Sequence, residues 1–278
     1  MGLPVGADFI FGTDVDKAVP PYSVEDLSTV VYENTPMASA PESLGGVMLK
    51  LVIDSDDTEV EISHVNVDSS LPASSRIVDW GDGTVETLGG SGLCGHRYQV
   101  AGTYYVRFND CLIEIAVCSQ YSDEGSGVAN MAAALRHVKF PDKVTRLMPG
   151  CFRNAVNLEQ EVLVFPGVRD LSAYVLGRVG ADTNAVRVLS VPSARLLGTY
   201  SFFPSFPSVE VICMDGVDGT TNDLWDRCPN LKWLLMRRKT CSRIQSEFSG
   251  LFDTTQVEGR GIVGSDGYIM NKTIYYDN

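Results

Sequence analysis

Positive charge and histidine are scarce in this sequence. Its 278 residues include 22 lysines and arginines against 35 aspartates and glutamates, with only three histidines, and the formal net charge is −13. A nucleic-acid binder needs a basic surface to neutralise phosphates, so this balance argues against that function. The one basic run, Arg237 to Arg243, is better explained as a solvated edge. Three histidines also leave little material for acid–base catalysis.

Long apolar runs and paired cysteine motifs are missing too. No apolar run reaches the length of a membrane-spanning helix, so no membrane insertion is predicted. The opening residues lack a basic start and are interrupted by Gly, Pro and Asp, which argues against a secretory signal. The seven cysteines are scattered without a C-x-x-C motif, so we expect reduced, mostly buried side chains rather than a zinc site. These features predict folding in a cytoplasm.

Residues 1–45 contain too few apolar side chains to hold a core of their own. Phe9, Ile10 and Phe11 form a short apolar plug beside glycines. Ordering a free arm costs roughly 1–2 kcal/mol per residue. We therefore predict that this segment is ordered only by contact with another chain, and that these three residues bind a partner.

Residues 46–118 show the period-two alternation of half-buried strands. Four runs alternate, and their apolar faces consist of Val47, Leu49, Leu51 and Ile53; Val60, Ile62 and His64; Tyr104, Val106 and Phe108; and Ile113, Ile115 and Val117. Short strands at this spacing predict an antiparallel β-sandwich.

A Gly-Asp-Gly turn directly after a strand raises the question of a ligand site. Gly81 and Gly83 tolerate positive φ and Asp82 can accept hydrogen bonds from turn amides, so a tight corner beside Trp80 explains the pattern. The stretch lacks the strand–GxGxxG–helix context of a dinucleotide site. Calcium at this turn or at the acidic run 54–57 is the less favoured alternative, because neither fits an EF-hand loop.

The turn belongs to a longer pattern. It runs W-G-D-G-T, then H-x-Y, then A-G-T-Y-x-V, at Trp80–Thr84, His96, Tyr98 and Ala101–Val106. This pattern resembles the PKD (polycystic kidney disease) family of Ig-like β-sandwiches. The resemblance implies a spacer or adhesion module rather than a catalyst.

Residues 138–250 repeat a short apolar strand at steps of 22 to 26 residues. The strands begin near Val138, Leu163, Leu189, Ile212 and Leu234. One strand per unit with a return segment predicts a solenoid. The unit at 138–160 resembles the BspA-like leucine-rich repeats of bacterial and phage surface proteins. The tail predicts a closing hairpin that caps the last repeat.

Alternation within the repeated strands assigns side chains to an inner and an outer face of the sheet. The inner positions are all apolar. The outer positions are His137 and Lys139, Val162 and Val164, Val188 and Ser190, Val211 and Cys213, and Trp233 and Leu235. Most of these are apolar too, and contiguous apolar surface usually marks an interface.

We therefore predict that this outer face is covered. A neighbouring subunit is the favoured cover, and the sandwich folding back is the alternative. The residues assigned to partner binding are Val162, Val164, Val188, Val211, Trp233 and Leu235. A register error, which would place Trp233 in the core, is the remaining alternative.

The predicted fold is mainly β: an Ig-like (PKD-type) antiparallel sandwich and a short leucine-rich-repeat solenoid with an extended N-terminal arm. The predicted units are the arm 1–45, the sandwich 46–118, a linker and cap 119–137, and the solenoid with its cap 138–278. We expect two folded domains meeting near residues 118 to 137, a short helix from Gly127, and no sheet that continues across residue 125.

No nucleophile, metal or phosphate motif is present, so we predict no catalytic, cofactor or metal site and no enzymatic activity. A carboxylate pair that meets only in space, as in glycoside hydrolases, is the catalytic alternative. The predicted function is a phage virion structural protein on the particle surface, made in the host cytoplasm: a head decoration, fibre or tail-associated component. Its predicted partners are other virion proteins, with host-surface glycans or proteins as further candidates. The alternative is a bacterial cell-surface adhesion or carbohydrate-binding protein.

Overall fold

The computed structural model describes residues 41–118, 125–171, 185–197, 208–218, 230–236, 261–264, 267–270 and 273–276. These residues are mainly β, with one α-helix among them. That helix is too short to cross a membrane, and the described ranges contain no other candidate span. The predictions for the arm, except for its last five residues, lie outside the described residues.

The first half of the described chain holds seven strands. They are β1 Gly45–Ile53, β2 Thr58–Val67, β3 Ile77–Asp79, β4 Val85–Thr87, β5 Gly92–Tyr98, β6 Gly102–Asn109 and β7 Leu112–Ala116. Helix α1, Ser126–Ala134, follows them. The later strands are β8 Leu135–Lys139, β9 Arg146–Leu147, β10 Val162–Val164, β11 Asp170–Leu171, β12 Val188–Leu197, β13 Val211–Asp218, β14 Trp233–Met236, β15 Gly261–Gly264, β16 Gly267–Met270 and β17 Thr273–Tyr276.

The strands form three sheets. Sheet A has the order β4-β3-β6-β1-β8, sheet B the order β11-β9-β7-β2-β5, and sheet C the order β10-β12-β13-β14-β15-β16-β17. Leu49 of sheet A and Ile62 of sheet B share one buried core. The ring of Tyr98 in sheet B stacks on that of Tyr104 in sheet A, with centroids 4.1 Å apart. Sheets A and B thus pack against each other in an arrangement consistent with a β-sandwich.

A bulge in β2 corrects one predicted face. The register between β2 and β5 shifts between Ile62 and Val65. Val65 is 1% exposed, whereas His64 is only partly buried. Because an extra residue in one strand turns the following side chains to the other face, Val65 takes the inner position. The assignment of His64 to the apolar face is therefore wrong.

Sheets A and B do not end at the predicted linker. β8 pairs antiparallel with β1, with Lys50 opposite His137, and β9 pairs parallel with β7. The expectation of two folded domains that meet near residues 118 to 137, with no sheet continuing across residue 125, is therefore wrong. The physical reason is that β1 and β7 would otherwise be open sheet edges with unpaired backbone groups. The residue boundaries of the predicted units stay predictions.

Helix α1 confirms the helix predicted from Gly127 and begins one residue earlier. It packs against β2, and the side-chain amide of Asn130 donates to the Glu59 carbonyl oxygen at 2.8 Å. Gly127 lies close to β2, since a Cβ there would lie 2.5 Å from Cγ of Glu61, whose side chain would have to move. Asn157, from the segment 138–160, donates to the Ala133 carbonyl oxygen at 2.8 Å. The helix therefore touches both sheet B and this segment.

Sheet C contains a parallel ladder in the predicted register. Leu189 of β12 lies between Leu163 of β10 and Ile212 of β13, and Ile212 lies beside Leu234 of β14. The alignment of these four strands is confirmed, and Trp233 lies opposite Val211 as predicted, although its side chain is buried. The earliest predicted strand of the series is different, because Val138 lies in β8 of sheet A.

The predicted closing hairpin is also confirmed. β15 and β16 pair antiparallel, with Gly264 opposite Gly267, and β15 adds to the ladder beside β14. The connecting residues lie outside the described ranges.

Candidate interaction surface

Four of the side chains assigned to the outer face of sheet C are buried within the single chain. Val188, Val211, Trp233 and Leu235 are 1%, 3%, 2% and 0% exposed. They stand apart from the main core, to which the inner-face residues Leu189, Ile212 and Leu234 belong. At these four positions the chain's own atoms bury the side chains, so the neighbouring subunit that the sequence favoured as the cover is not needed there.

The burial limits which of the assigned residues a partner could reach. Val162 and Val164, on the edge strand β10, are partly exposed. The other four cannot touch a partner while they are buried, so partner binding through this face stays a prediction for β10 alone. Phe9, Ile10 and Phe11 lie outside the described residues.

The Gly-Asp-Gly turn forms a compact aromatic corner. The rings of Trp80 and His96 stack at 5.0 Å, and the Tyr98 hydroxyl donates to the Trp80 carbonyl oxygen at 2.8 Å. His96 Nε2 lies 2.8 Å from Asp82 Oδ2. Burial opposes ionisation of Asp82, but hydrogen bonds from His96 and Thr84 outweigh it and lower the pKa of this carboxyl. Residues of the W-G-D-G-T and H-x-Y patterns thus meet at this corner. Their contacts hold sheet A and sheet B together.

Four of the carboxylates considered for calcium, including Asp82 described above, are engaged with protein groups. Asp79 pairs with Arg107, Asp57 lies 3.2 Å from Arg97, and Asp56 accepts from the Ala101 amide at 2.7 Å. Within the described ranges, no group of three or more His, Cys, Asp or Glu side chains could hold a metal ion.

The described cysteines behave as small core residues. Cys94, Cys111, Cys118, Cys151 and Cys213 are buried and form no disulfide. Burial raises the pKa of the Cys94 and Cys151 thiols to about 12. A thiol with such a pKa is almost entirely protonated at neutral pH and makes a poor nucleophile or metal ligand.

Gln160 joins sheet A to sheet C and Glu159 beside it contacts sheet A, and the sequence did not single out either residue. The Gln160 side chain accepts from the Val138 amide at 2.6 Å and donates to the Val138 and Val162 carbonyl oxygens at 3.3 and 3.1 Å. Its side-chain amide thus bridges β8 and β10 by hydrogen bonds to the backbone of both strands. In the sequence these two residues are visible only as a polar pair at the end of the unit 138–160.

The neighbouring carboxylate of Glu159 gathers three basic groups. Its Oε2 lies 3.1 Å from Lys50 Nζ and 3.2 Å from His137 Nε2, and its Oε1 lies 3.8 Å from Arg136 Nε. Burial opposes ionisation of Glu159, but its contacts with Lys50 and His137 prevail and lower its pKa. Burial first, and the Lys50 charge second, lower the pKa of His137.

Comparison with known proteins adds no relative to this picture. No protein-family model, no curated protein and no solved structure matches the chain.

Proposed function

We propose that this chain is a non-enzymatic structural protein on the surface of a phage virion, as a head decoration, fibre or tail-associated component. In this proposal sheets A and B are a PKD-like, Ig-like sandwich. Sheet C is the strand face of a short solenoid of BspA-like leucine-rich repeats. Both modules are scaffolds that space or bind, and neither supplies catalytic groups by its fold.

The observation that carries the proposal is the shared core. Buried residues from Val47 in β1 to Leu234 in β14 form one hydrophobic cluster. A core that runs unbroken from sandwich to ladder resists hinge motion between them, because packed interiors deform little. A rigid body of this kind suits a particle component that bears load or projects from a surface. It suits an enzyme with a closing cleft less well.

The chemistry of the described residues supports the non-enzymatic role. The buried thiols of Cys94 and Cys151 are protonated at neutral pH, and Asp79 and Asp82 are already paired. His96 is stacked and hydrogen-bonded within a structural corner. We assign partner contacts to other virion proteins, through the partly exposed side chains of Val162 and Val164 and through the N-terminal arm.

Immunogold electron microscopy tests the proposal. An antiserum against the purified chain is applied to phage particles and to intact cells from a culture that carries the gene, with preimmune serum as the control. We expect regular labelling of particles. Labelling of the cell surface with bare particles would instead support the bacterial adhesion alternative, and labelling of neither would overturn both.

A further inference from the structure

The link between sheets A and C contains a buried, titratable ring. We define the junction cluster as Lys50 in β1, Arg136 and His137 in β8, and Glu159, which precedes Gln160. His137 is 2% exposed. Its Nδ1 is buried and has no hydrogen-bond partner among the described residues.

The charge balance at the cluster is uneven. One carboxylate, Glu159, serves both Lys50 and His137 through the same oxygen, and Arg136 approaches its other oxygen. Lys139 projects from β8 on the same face as His137. With His137 neutral, the cluster already holds more positive than negative charge. A proton on His137 adds another buried positive charge that the single carboxylate must share.

Two effects compete when His137 takes up a proton. The attraction to Glu159 favours the imidazolium, but the Glu159 side chain is 49% exposed and solvent screens the attraction. Desolvation of a nearly buried ring, repulsion by Lys50 and the unpartnered Nδ1 oppose it, and burial is the larger influence. The lowered pKa of His137 agrees with this balance.

We propose that the junction cluster is an acid-sensitive latch, in which neutral His137 keeps sheet C attached to sheet A and protonated His137 loosens that attachment. The reason is connectivity: His137 precedes Val138, whose amide and carbonyl both bond to the Gln160 side chain, the hydrogen-bonded bridge between β8 and β10. A charged ring that moves out of its buried site also moves the neighbouring Val138 and so breaks this bridge. The inference does not depend on the virion assignment.

The pH window follows from the direction of the shift. A histidine whose folded pKa lies below its unfolded value, about 6.5, contributes stability that is present above that value. The contribution is lost as the pH falls below about 6.5 and through the lowered folded pKa. Because one proton is taken up, the effect can grow by no more than about tenfold per pH unit.

Hydrogen exchange in the full chain tests the latch. The Val138 amide, which donates to Gln160, is followed from pH 8 to pH 5 after correction for intrinsic exchange, with the amides of β6 as an internal reference. We expect Val138 protection to fall below about pH 6.5, by up to about tenfold per pH unit, while β6 changes less. In His137→Gln the pH dependence should vanish, and in the control His64→Gln it should persist.

Two results would overturn the proposal. One is Val138 protection that does not depend on pH in the natural chain, or that falls equally in His137→Gln. If that variant does not fold, NMR titration of the His137 ring in the natural chain decides instead. A midpoint at or above about 6.5 contradicts the latch, and a lower midpoint supports it.

Discussion

Replacement of Gln160 by methionine should loosen the whole protein, although it changes neither the size of the side chain much nor any charge. Gln160 is 2% exposed and satisfies three backbone groups, the amide and carbonyl of Val138 and the carbonyl of Val162. Methionine fills the space but can satisfy none of them, so the bridge between sheets A and C is lost.

The magnitude follows from the groups left without partners. An unsatisfied buried polar group costs about 1–3 kcal/mol, and the bonds to the two Val138 groups are fully buried. Some relaxation and water entry will reduce the sum. We therefore expect a loss of about 3 kcal/mol, a large share of the roughly 5–15 kcal/mol by which a typical domain is stable.

The assay is equilibrium denaturation in urea, followed by circular dichroism. The matched control is Gln99→Met, the same substitution on an exposed turn, which should change stability by less than about 0.5 kcal/mol. A change in Gln160→Met as small as in the control would refute the view that this side chain carries the link between the sheets.

Three further predictions follow from named positions. Gly81→Ala should lower stability in thermal unfolding clearly more than Gly83→Ala. Both glycines have positive φ, which costs an alanine about 1–2 kcal/mol. Only at Gly81 would a Cβ also meet the backbone, 2.7 Å from the Tyr105 carbonyl oxygen. Val211→Lys should lower the free energy of unfolding by several kcal/mol or prevent folding, because it buries a charge at a site 3% exposed. Val162→Lys should leave a folded protein, because Val162 is partly exposed. Equal yields of soluble, folded protein from the two variants would contradict this prediction. Hydrogen bonds from Ser70 and Lys143 lower the pKa of Asp68 to about 2. The contribution of Asp68 to folding stability is therefore lost only as the pH falls from about 4 towards 2. A carboxyl NMR titration of Asp68 with a midpoint near 4 would refute this prediction.

The alternation of apolar residues was enough to predict most of the local structure. Leu49 and Leu51, and Val106 and Phe108, are buried on the faces that period two assigns them. The ladder register was also readable, because each strand repeats the same apolar spacing around Leu163, Leu189 and Ile212. Such patterns are local, and each strand carries its own.

Pairing between distant segments could not be predicted in the same way. The strand around Val138 has the apolar pattern of a repeat, and that pattern fits equally well beside β10 or beside β1. The choice depends on which edge is open once the sheets assemble. The same holds for Gln160 and Glu159, since a lone glutamine or glutamate has no signal until its partners on β1 and β8 are known.

The bulge in β2 shows a third limit. Strict alternation placed His64 inside, but one extra residue between Ile62 and Val65 reverses the later faces. Nothing in the composition of that stretch marks the bulge, because Ser63 and His64 are both tolerated at a half-buried surface. Its position is set by the pairing of β2 with both β5 and β7.

The central claim is that sandwich and ladder share one core and therefore unfold as one unit. Trp80 in the first and Trp233 in the second are both buried and provide one fluorescence probe each. Trp225 is the third tryptophan and is replaced in both variants. Trp225→Phe with Trp233→Phe leaves Trp80 as the probe, and Trp80→Phe with Trp225→Phe leaves Trp233. Urea titrations of these variants, each compared with circular dichroism of the same sample, give the measurement. The account predicts that in each variant the fluorescence and circular dichroism transitions coincide, as expected for a single cooperative unit. A fluorescence transition clearly separated from the circular dichroism transition in either variant would contradict it.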